Sequence, residues 1–199
     1  MTDLRQKYPL LRKFLEERES EDVQEMIGPR PAHLTRFQEQ SFALIDRDGV
    51  GTPAEKQAAM ICAALVIEPV SMYYDITRLV MNYGVEMEYA IEPLLGARPG
   101  QALPPIVAQA RAAAGAVLME NMAQSVAAND KLGATAADLL AVARQSFSQD
   151  EASFGQIEGS PLAARYLAAK ENLFARLEAK IEAENPAPKK KPKGRSFDL

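Results

Sequence analysis

The chain has 199 residues, of which 47% are hydrophobic and 25% are charged, as is ordinary for a globular protein with one sizeable core. Its single cysteine excludes a disulfide within the chain and favours a reducing compartment. The formal net charge is −4, yet the last eleven residues hold five bases and one acid, so the rest of the chain is acidic. An acidic body disfavours general affinity for nucleic acid, and we expect at most weak contact through that basic end.

The N-terminal residues contain no apolar segment of the kind that signal peptides carry. The longest apolar run in the chain, residues 58–67, is about half the length that a membrane-spanning helix needs. We therefore expect a cytoplasmic protein that makes no contact with a membrane.

The first helix is predicted from apolar residues that recur at spacings of three and four, namely Leu4, Tyr8, Leu11 and Leu15. The segment ESEDVQEMIGPRP, residues 19–31, is predicted to break this pattern because it contains Gly28 and two prolines. A second helix is predicted over about 32–45, with the inward residues Leu34, Phe37, Leu44 and Ile45.

The segment DRDGVGTP, residues 46–53, is predicted to be a loop. Its aspartates superficially indicate a calcium loop, which needs oxygen ligands at set positions and a bidentate acid at the twelfth. Counted from Asp46, Val50 stands at the fifth position and Gln57 at the twelfth. A glycine turn followed by a capped helix is therefore the preferred interpretation.

The third helix is predicted to begin with Thr52 as N-cap and Pro53 as first helical residue, and Glu55 completes the signature of a helix start. It runs through the apolar stretch to about Val66. Because a proline disfavours helix in the residue before it, Pro69 is expected to end this helix near Glu68.

A fourth helix is predicted from Ser71 to Gly84, and a fifth over about 85–95. The segment GARPGQALPP, residues 96–105, is predicted to be a loop. A long alanine-rich helix follows over about 106–128.

The next helix is predicted to run from Thr135 or Ala136 to Phe147, and residues 148–161 are predicted to form a loop or irregular turn. The last helix shows the clearest periodicity, and one face carries Leu162, Tyr166, Ala169, Leu173, Leu177 and Ile181. The segment after it has three prolines, several lysines and little to bury, so it is predicted to be disordered.

Together these elements predict an all-α fold, with a single bundle-like helical domain of seven or eight helices over residues 1–184. A disordered basic tail is predicted over residues 185–199. No strand and no internal repeat is predicted from the sequence.

Histidine and cysteine occur once each. His33 cannot build a histidine-rich zinc site alone, and one cysteine cannot build a thiolate site. We expect His33 to lie near a helix start with its ring partly solvated. Cys62 stands in an apolar run and is predicted to be a small buried hydrophobic residue rather than a nucleophile. No cofactor is predicted.

A segment in the middle of the chain begins with Ala63-Ala64-Leu65-Val66, continues with Ile67 and Glu68, and reaches the aromatic–glycine pair Tyr83-Gly84. Further on, GAVLMENMAQSV contains Glu120. This order resembles the centre and the later metal-binding helix of HD-domain hydrolases of the RelA/SpoT type, which remove pyrophosphate from (p)ppGpp. The resemblance covers about seventy residues, by the helix register.

The resemblance implies an HD-like helical fold, but this chain departs from the family at the metal ligands. Ile67 and Glu68 stand where the family has His-Asp, and Glu120 stands where it has an aspartate. Ile67 supplies no lone pair for a divalent ion, so the resemblance implies a catalytically silent relative. In the alternative interpretation, Glu68 and Glu120 hold a hard ion such as Mg²⁺ or Ca²⁺ weakly through oxygen.

The leading hypothesis is a non-enzymatic binding or regulatory protein that uses a helical surface, with a protein partner or a nucleotide as its ligand. The long C-terminal helix with its tail is predicted to face that partner. One alternative is a metal-dependent phosphohydrolase acting on a nucleotide such as (p)ppGpp through Glu68 and Glu120. The other is a bacterial effector or secretion substrate with a basic C-terminal signal. The basic binding residues predicted in the tail are Lys189, Lys190, Lys191, Lys193 and Arg195.

Overall fold

The computed structural model describes residues 2–69, 101–129, 134–147 and 151–184. The predicted fourth and fifth helices and the C-terminal tail lie outside these described residues. Every regular element within them is helical, so the all-α prediction is confirmed for this part of the chain. None of the helices described is both long enough and apolar enough to cross a membrane.

The described residues form eight α-helices and one 3₁₀ helix. The α-helices are α1 (Thr2–Lys7), α2 (Pro9–Arg18), α3 (Glu21–Ile27), α4 (Ala32–Asp48), α5 (Pro53–Ile67), α6 (Pro105–Ala128), α7 (Ala136–Phe147) and α8 (Pro161–Glu184). The 3₁₀ helix spans Glu151–Ile157, between α7 and α8.

The prediction of a single first helix is wrong, because this region forms two helices, α1 and α2. Tyr8 lies between them with extended backbone angles (φ −122°, ψ 90°) and is the N-cap of α2. Pro9 follows as the first residue of α2, where the missing N–H costs no helical hydrogen bond. The apolar spacing itself is confirmed, since Tyr8, Leu11 and Leu15 are buried.

The predicted break over residues 19–31 is wrong in its first part, which forms α3. Ser20 is the N-cap, with extended backbone angles, and two acidic residues follow in the first turn, where they interact favourably with the helix dipole. Gly28 ends the helix at φ 83°, in the left-handed region that glycine adopts without steric cost. Only residues 28–31 therefore form the link to α4.

The helix α4 continues three residues beyond its predicted end and finishes at Asp48. Asp46 lies in its last turn, where its carboxylate accepts hydrogen bonds from the Tyr8 hydroxyl and from the Lys7 ammonium group at 2.6 Å. These contacts join the C-terminal end of α4 to the junction between α1 and α2. His33, in the first turn of the same helix, is exposed and contacts Phe37 edge-to-face.

The predicted start of α5 is confirmed in atomic detail. Thr52 Oγ1 accepts a hydrogen bond from the Glu55 backbone N–H at 3.3 Å, and the Glu55 carboxylate accepts one from the Thr52 backbone N–H at 2.7 Å. The helix ends at Ile67, as Pro69 predicts. Cys62 is fully buried in it, which confirms that prediction, and burial raises the pKa of its thiol to about 12.

The helix α6 occupies the centre of the described part and packs against α4, α5 and α8. Gly115 lies in its middle, where a helix ordinarily disfavours glycine. A β-carbon at this position would lie 2.7 Å from Cε2 of Tyr166 in α8, so the absence of a side chain allows the tyrosine ring to sit against the α6 backbone. The Tyr166 hydroxyl donates to the Phe147 carbonyl at the end of α7.

The apolar face predicted for the last helix is confirmed, because its residues are buried in the core or, at Ile181, packed partly buried against it. The predicted loop over residues 148–161 is wrong in part, since the 3₁₀ helix lies within it. Phe154 and Ile157 of that helix are buried, and the Phe154 ring packs edge-to-face on Tyr166 at 4.8 Å between centroids. Apolar contact therefore orders this segment despite its turn-like composition.

Candidate functional site

Glu68 lies immediately after α5 and is held by two arginines. Nε and Nη2 of Arg18, the last residue of α2, donate to its two carboxylate oxygens at 3.2 and 2.7 Å. Nε of Arg30, in the link between α3 and α4, donates to the carboxylate at 3.0 Å. The side chains of Arg18, Arg30 and Glu68 are 5, 7 and 3% exposed, so this arginine–glutamate cluster is almost removed from solvent.

The arginine–glutamate cluster lowers the pKa of Glu68 below its ordinary value of 4.5. Burial by itself acts in the opposite direction and is the largest single effect, because it disfavours the charged carboxylate. Hydrogen bonds and charge attraction from Arg18 and Arg30 together outweigh it. The carboxylate therefore stays ionised inside the protein.

Each arginine of the cluster also carries a nitrogen that its contact with Glu68 does not use. Arg18 Nη1 and Arg30 Nη2 are excluded from solvent and have no hydrogen-bond acceptor among the residues that the structure describes. A guanidinium group has five N–H donors and no acceptor of its own, so these buried nitrogens need an acceptor from another group.

Glu120, the second acid of the predicted metal pair, lies on α6 and faces α8. Arg165 of α8 donates to both of its oxygens, through Nε at 2.9 Å and Nη2 at 3.0 Å. This pair is far more open than the first, with side-chain exposures of 31% for Glu120 and 39% for Arg165.

Both acids are thus in contact with guanidinium groups. The described part of the chain contains no group of three or more His, Cys, Asp or Glu side chains placed to hold a metal ion. The alternative prediction of a cation bound by Glu68 and Glu120 gains no support from these contacts. The basic residues predicted for binding, Lys189, Lys190, Lys191, Lys193 and Arg195, lie outside the described residues.

A groove of about 290 Å³ opens between α4, α6 and α7. Apolar side chains form most of its wall, and Arg36 lies at its edge, 5.5 Å from the centroid of the Phe37 ring. Asn121 joins two of its walls, because its Nδ2 donates to Gln40 of α4 at 3.1 Å and to the Val117 carbonyl of α6 at 2.8 Å. The lining residues are Arg36, Phe37, Leu118, Asn121, Met122, Ser125, Val126 and Leu139.

Comparison with protein-family models, with curated proteins and with solved structures found no match to this chain. The HD-like resemblance of the middle segment therefore stays a prediction.

Sequence reasoning missed both arginines of the buried cluster. Arg18 carried a signal, since it continues the three-and-four spacing of Leu11 and Leu15 and so places a charge on the buried face of a helix. Arg30 carried none, because an arginine between two prolines in a short link is ordinary. The sequence also indicates only part of the groove. Phe37 is predicted to face inward, but no sequence pattern distinguishes Arg36.

Proposed function

We propose that the protein is a non-enzymatic helical binding protein and that its partner is another protein, which docks a helix into the groove between α4, α6 and α7. The single observation that carries this proposal is the groove itself. It combines an apolar wall with one cationic side chain at its edge, on the exposed side of three helices.

The size and chemistry of the groove favour a peptide segment over a free small molecule. Its volume of about 290 Å³ suits one or two apolar side chains of a partner. Phe37, Met122 and Leu139 remain partly exposed on its wall, so a partner side chain would remove them from water. An amphipathic helix supplies such anchors at spacings of three and four along one face.

Arg36 gives the proposed partner a charge preference. Arg36 is an exposed residue, and none of the described residues that line the groove carries a negative charge. An acidic residue on the partner, flanking the apolar anchor, would pair with it. Such rim charges set partner choice and association rate more than they set affinity.

We place this function on a catalytically silent HD-like scaffold. Ile67, where the family has its histidine, is buried, and Glu68, where the family has its aspartate, is bound by two arginines. These contacts support a structural role for the position. The phosphohydrolase alternative would require Glu68 and Glu120 to exchange arginine for a cation, and no observation favours that exchange.

Display of a helical peptide library tests the proposal with a defined probe. Wild-type protein should enrich peptides that carry one or two large apolar residues flanked by Asp or Glu. With Arg36→Glu, the enriched peptides should keep the apolar anchors and exchange the acidic flank for Lys or Arg, because the charge at the groove edge is reversed.

Arg176→Glu provides the matched control. Arg176 is an exposed arginine on α8 whose side chain donates to Asn172, away from the groove, so this variant should select the same acidic peptides as the wild type. Failure to enrich any apolar helical peptide, or an acidic preference that survives Arg36→Glu, would contradict the proposed function.

A further inference from the structure

The arginine–glutamate cluster carries an excess of positive charge. Among the described residues, two permanent cations, Arg18 and Arg30, share one carboxylate, and both of their Nε atoms donate to the same oxygen, Oε2 of Glu68. All three side chains are more than nine-tenths buried. Charges removed from water need both a counter-charge and satisfied hydrogen bonds, and among the residues that the structure describes the cations of this cluster outnumber its anions.

The nitrogens that lack an acceptor are the donors that a further negative group would use. Arg18 uses Nε and Nη2 on Glu68, which leaves Nη1 buried with no acceptor in the described part of the chain. Arg30 uses Nε on Glu68, and its Nη2 is likewise buried with no acceptor among the described residues. A buried donor left without an acceptor destabilises the folded protein, so an oxygen atom bound at either nitrogen would stabilise it.

We propose that Arg18 and Arg30 form a binding site for a small oxyanion group, a phosphate or a carboxylate, whose oxygens accept hydrogen bonds from Arg18 Nη1 and Arg30 Nη2. Planar guanidinium groups match the oxygens of both anions, and charge-assisted bonds of this kind are stronger than those to a neutral acceptor. Glu68 orients both arginines and compensates only one of the two cations. This site is separate from the groove and does not depend on the proposed function.

Exposed residues flank the cluster at the link between α3 and α4 and at the end of α5. Arg30 lies there between Pro29 and Pro31, both of which are exposed, and Pro69, next to Glu68, is exposed as well. Each of the three cluster residues is therefore next in sequence to an exposed residue, and a small anion has only a short distance to cross.

Thermal denaturation of the full chain, with anions titrated at constant ionic strength against chloride, tests the site. One arm uses inorganic phosphate and a simple phosphomonoester, and the other uses acetate and a larger monocarboxylate. We expect a saturable rise in Tm in at least one arm, because a ligand that binds only the folded state stabilises it. Saturation by phosphates alone identifies a phosphoryl ligand, and saturation by carboxylates alone identifies a carboxyl ligand.

Arg30→Gln should raise the concentration that half-saturates this effect by about tenfold or more, because it removes one charged donor. Arg30→Lys keeps the charge without the planar pair of N–H groups and should give an intermediate value. The matched control is Arg144→Gln, which removes an arginine from an exposed pair with Glu178 and should leave the anion response unchanged. General salting effects of phosphate are common to all variants and cancel in this comparison.

NMR of the arginine side chains in the wild-type protein provides a second measurement that does not depend on the variants folding. Binding should slow exchange of the Nη protons of two arginines and shift their Nε resonances saturably. No saturable response to either anion in both measurements, or a response that Arg30→Gln leaves unchanged, would overturn the proposed site.

Discussion

Glu68 and Glu120 have the same side chain and similar arginine partners, but their surroundings differ. Glu68 is 3% exposed and touches two arginines that are nearly as buried, whereas Glu120 and its partner Arg165 are each about one-third exposed. Donor–acceptor distances of 2.7–3.2 Å at the first site and 2.9–3.0 Å at the second do not separate them.

The difference between the two sites lies in desolvation. At Glu120, water solvates the carboxylate whether or not Arg165 is present, so the pair contributes little to stability. At Glu68, the arginines replace water, and removing one member leaves the others charged and buried. Geometry alone is therefore a poor guide to which ion pair the fold depends on, and burial decides the ranking.

The largest effect is expected from Glu68→Gln, which leaves Arg18 and Arg30 buried without their carboxylate. Breaking a buried ion pair by removing one partner costs about 3–5 kcal/mol. Urea denaturation monitored by circular dichroism would measure the change in the free energy of unfolding. Glu120→Gln is the matched control, with an expected cost below about 1 kcal/mol. Equal costs for the two variants would show that burial does not separate the sites.

A smaller effect is expected from acid. The pKa of Glu68 is lower in the folded state than its ordinary value, so its contribution to stability is fully present above pH 4.5 and is lost as pH falls through the folded-state pKa. Glu68→Gln lacks this titrating group. Its free energy of unfolding should therefore fall less steeply below pH 4.5 than that of the wild type.

Urea denaturation of both proteins between pH 7 and pH 3 would measure this difference. Other carboxyl groups titrate in the same range, and Asp46 is one whose pKa is also lowered, because hydrogen bonds from Lys7 and Tyr8 outweigh the opposing effect of burial. They contribute equally to both curves. Parallel curves for wild type and Glu68→Gln would refute the assigned role of Glu68 in acid stability.

The smallest effect is expected at the exposed pair. A double-mutant cycle of Glu120→Gln and Arg165→Gln should give a coupling energy of about 0.2–1 kcal/mol. Added salt should reduce that coupling because the pair is accessible to ions. A coupling above about 2 kcal/mol, or one that salt does not change, would place this pair in the same class as the buried cluster.

Much of the helical architecture could be predicted from sequence because its signals are local. Thr52, Pro53 and Glu55 specify the start of α5 within four residues, and the spacing of apolar residues specifies the buried face of α8. The sequence does not predict α3 because the helix is short and has only a few apolar residues. Two acidic residues in its first turn and the burial of Val23 favour helix in a sequence typical of loops.

The candidate site could not be predicted in the same way, because its contacts are long-range. Arg18 and Glu68 are 50 positions apart in the chain, and Arg30 and Glu68 are 38 apart. Nothing local to Glu68 distinguishes a helix-end acid in water from one enclosed by two guanidinium groups. Only the packing of α2, the α3–α4 link and the end of α5 brings the three side chains together.

The contact between Gly115 and Tyr166 has an evolutionary consequence. Any side chain at position 115 would collide with the tyrosine ring, so the size of the residue at one position limits the size of the residue at the other. Homologous chains that share this fold should pair glycine with an aromatic residue, or a larger residue at position 115 with a smaller one at position 166. Such correlated replacement would serve as a fingerprint for finding distant relatives whose other helices have diverged.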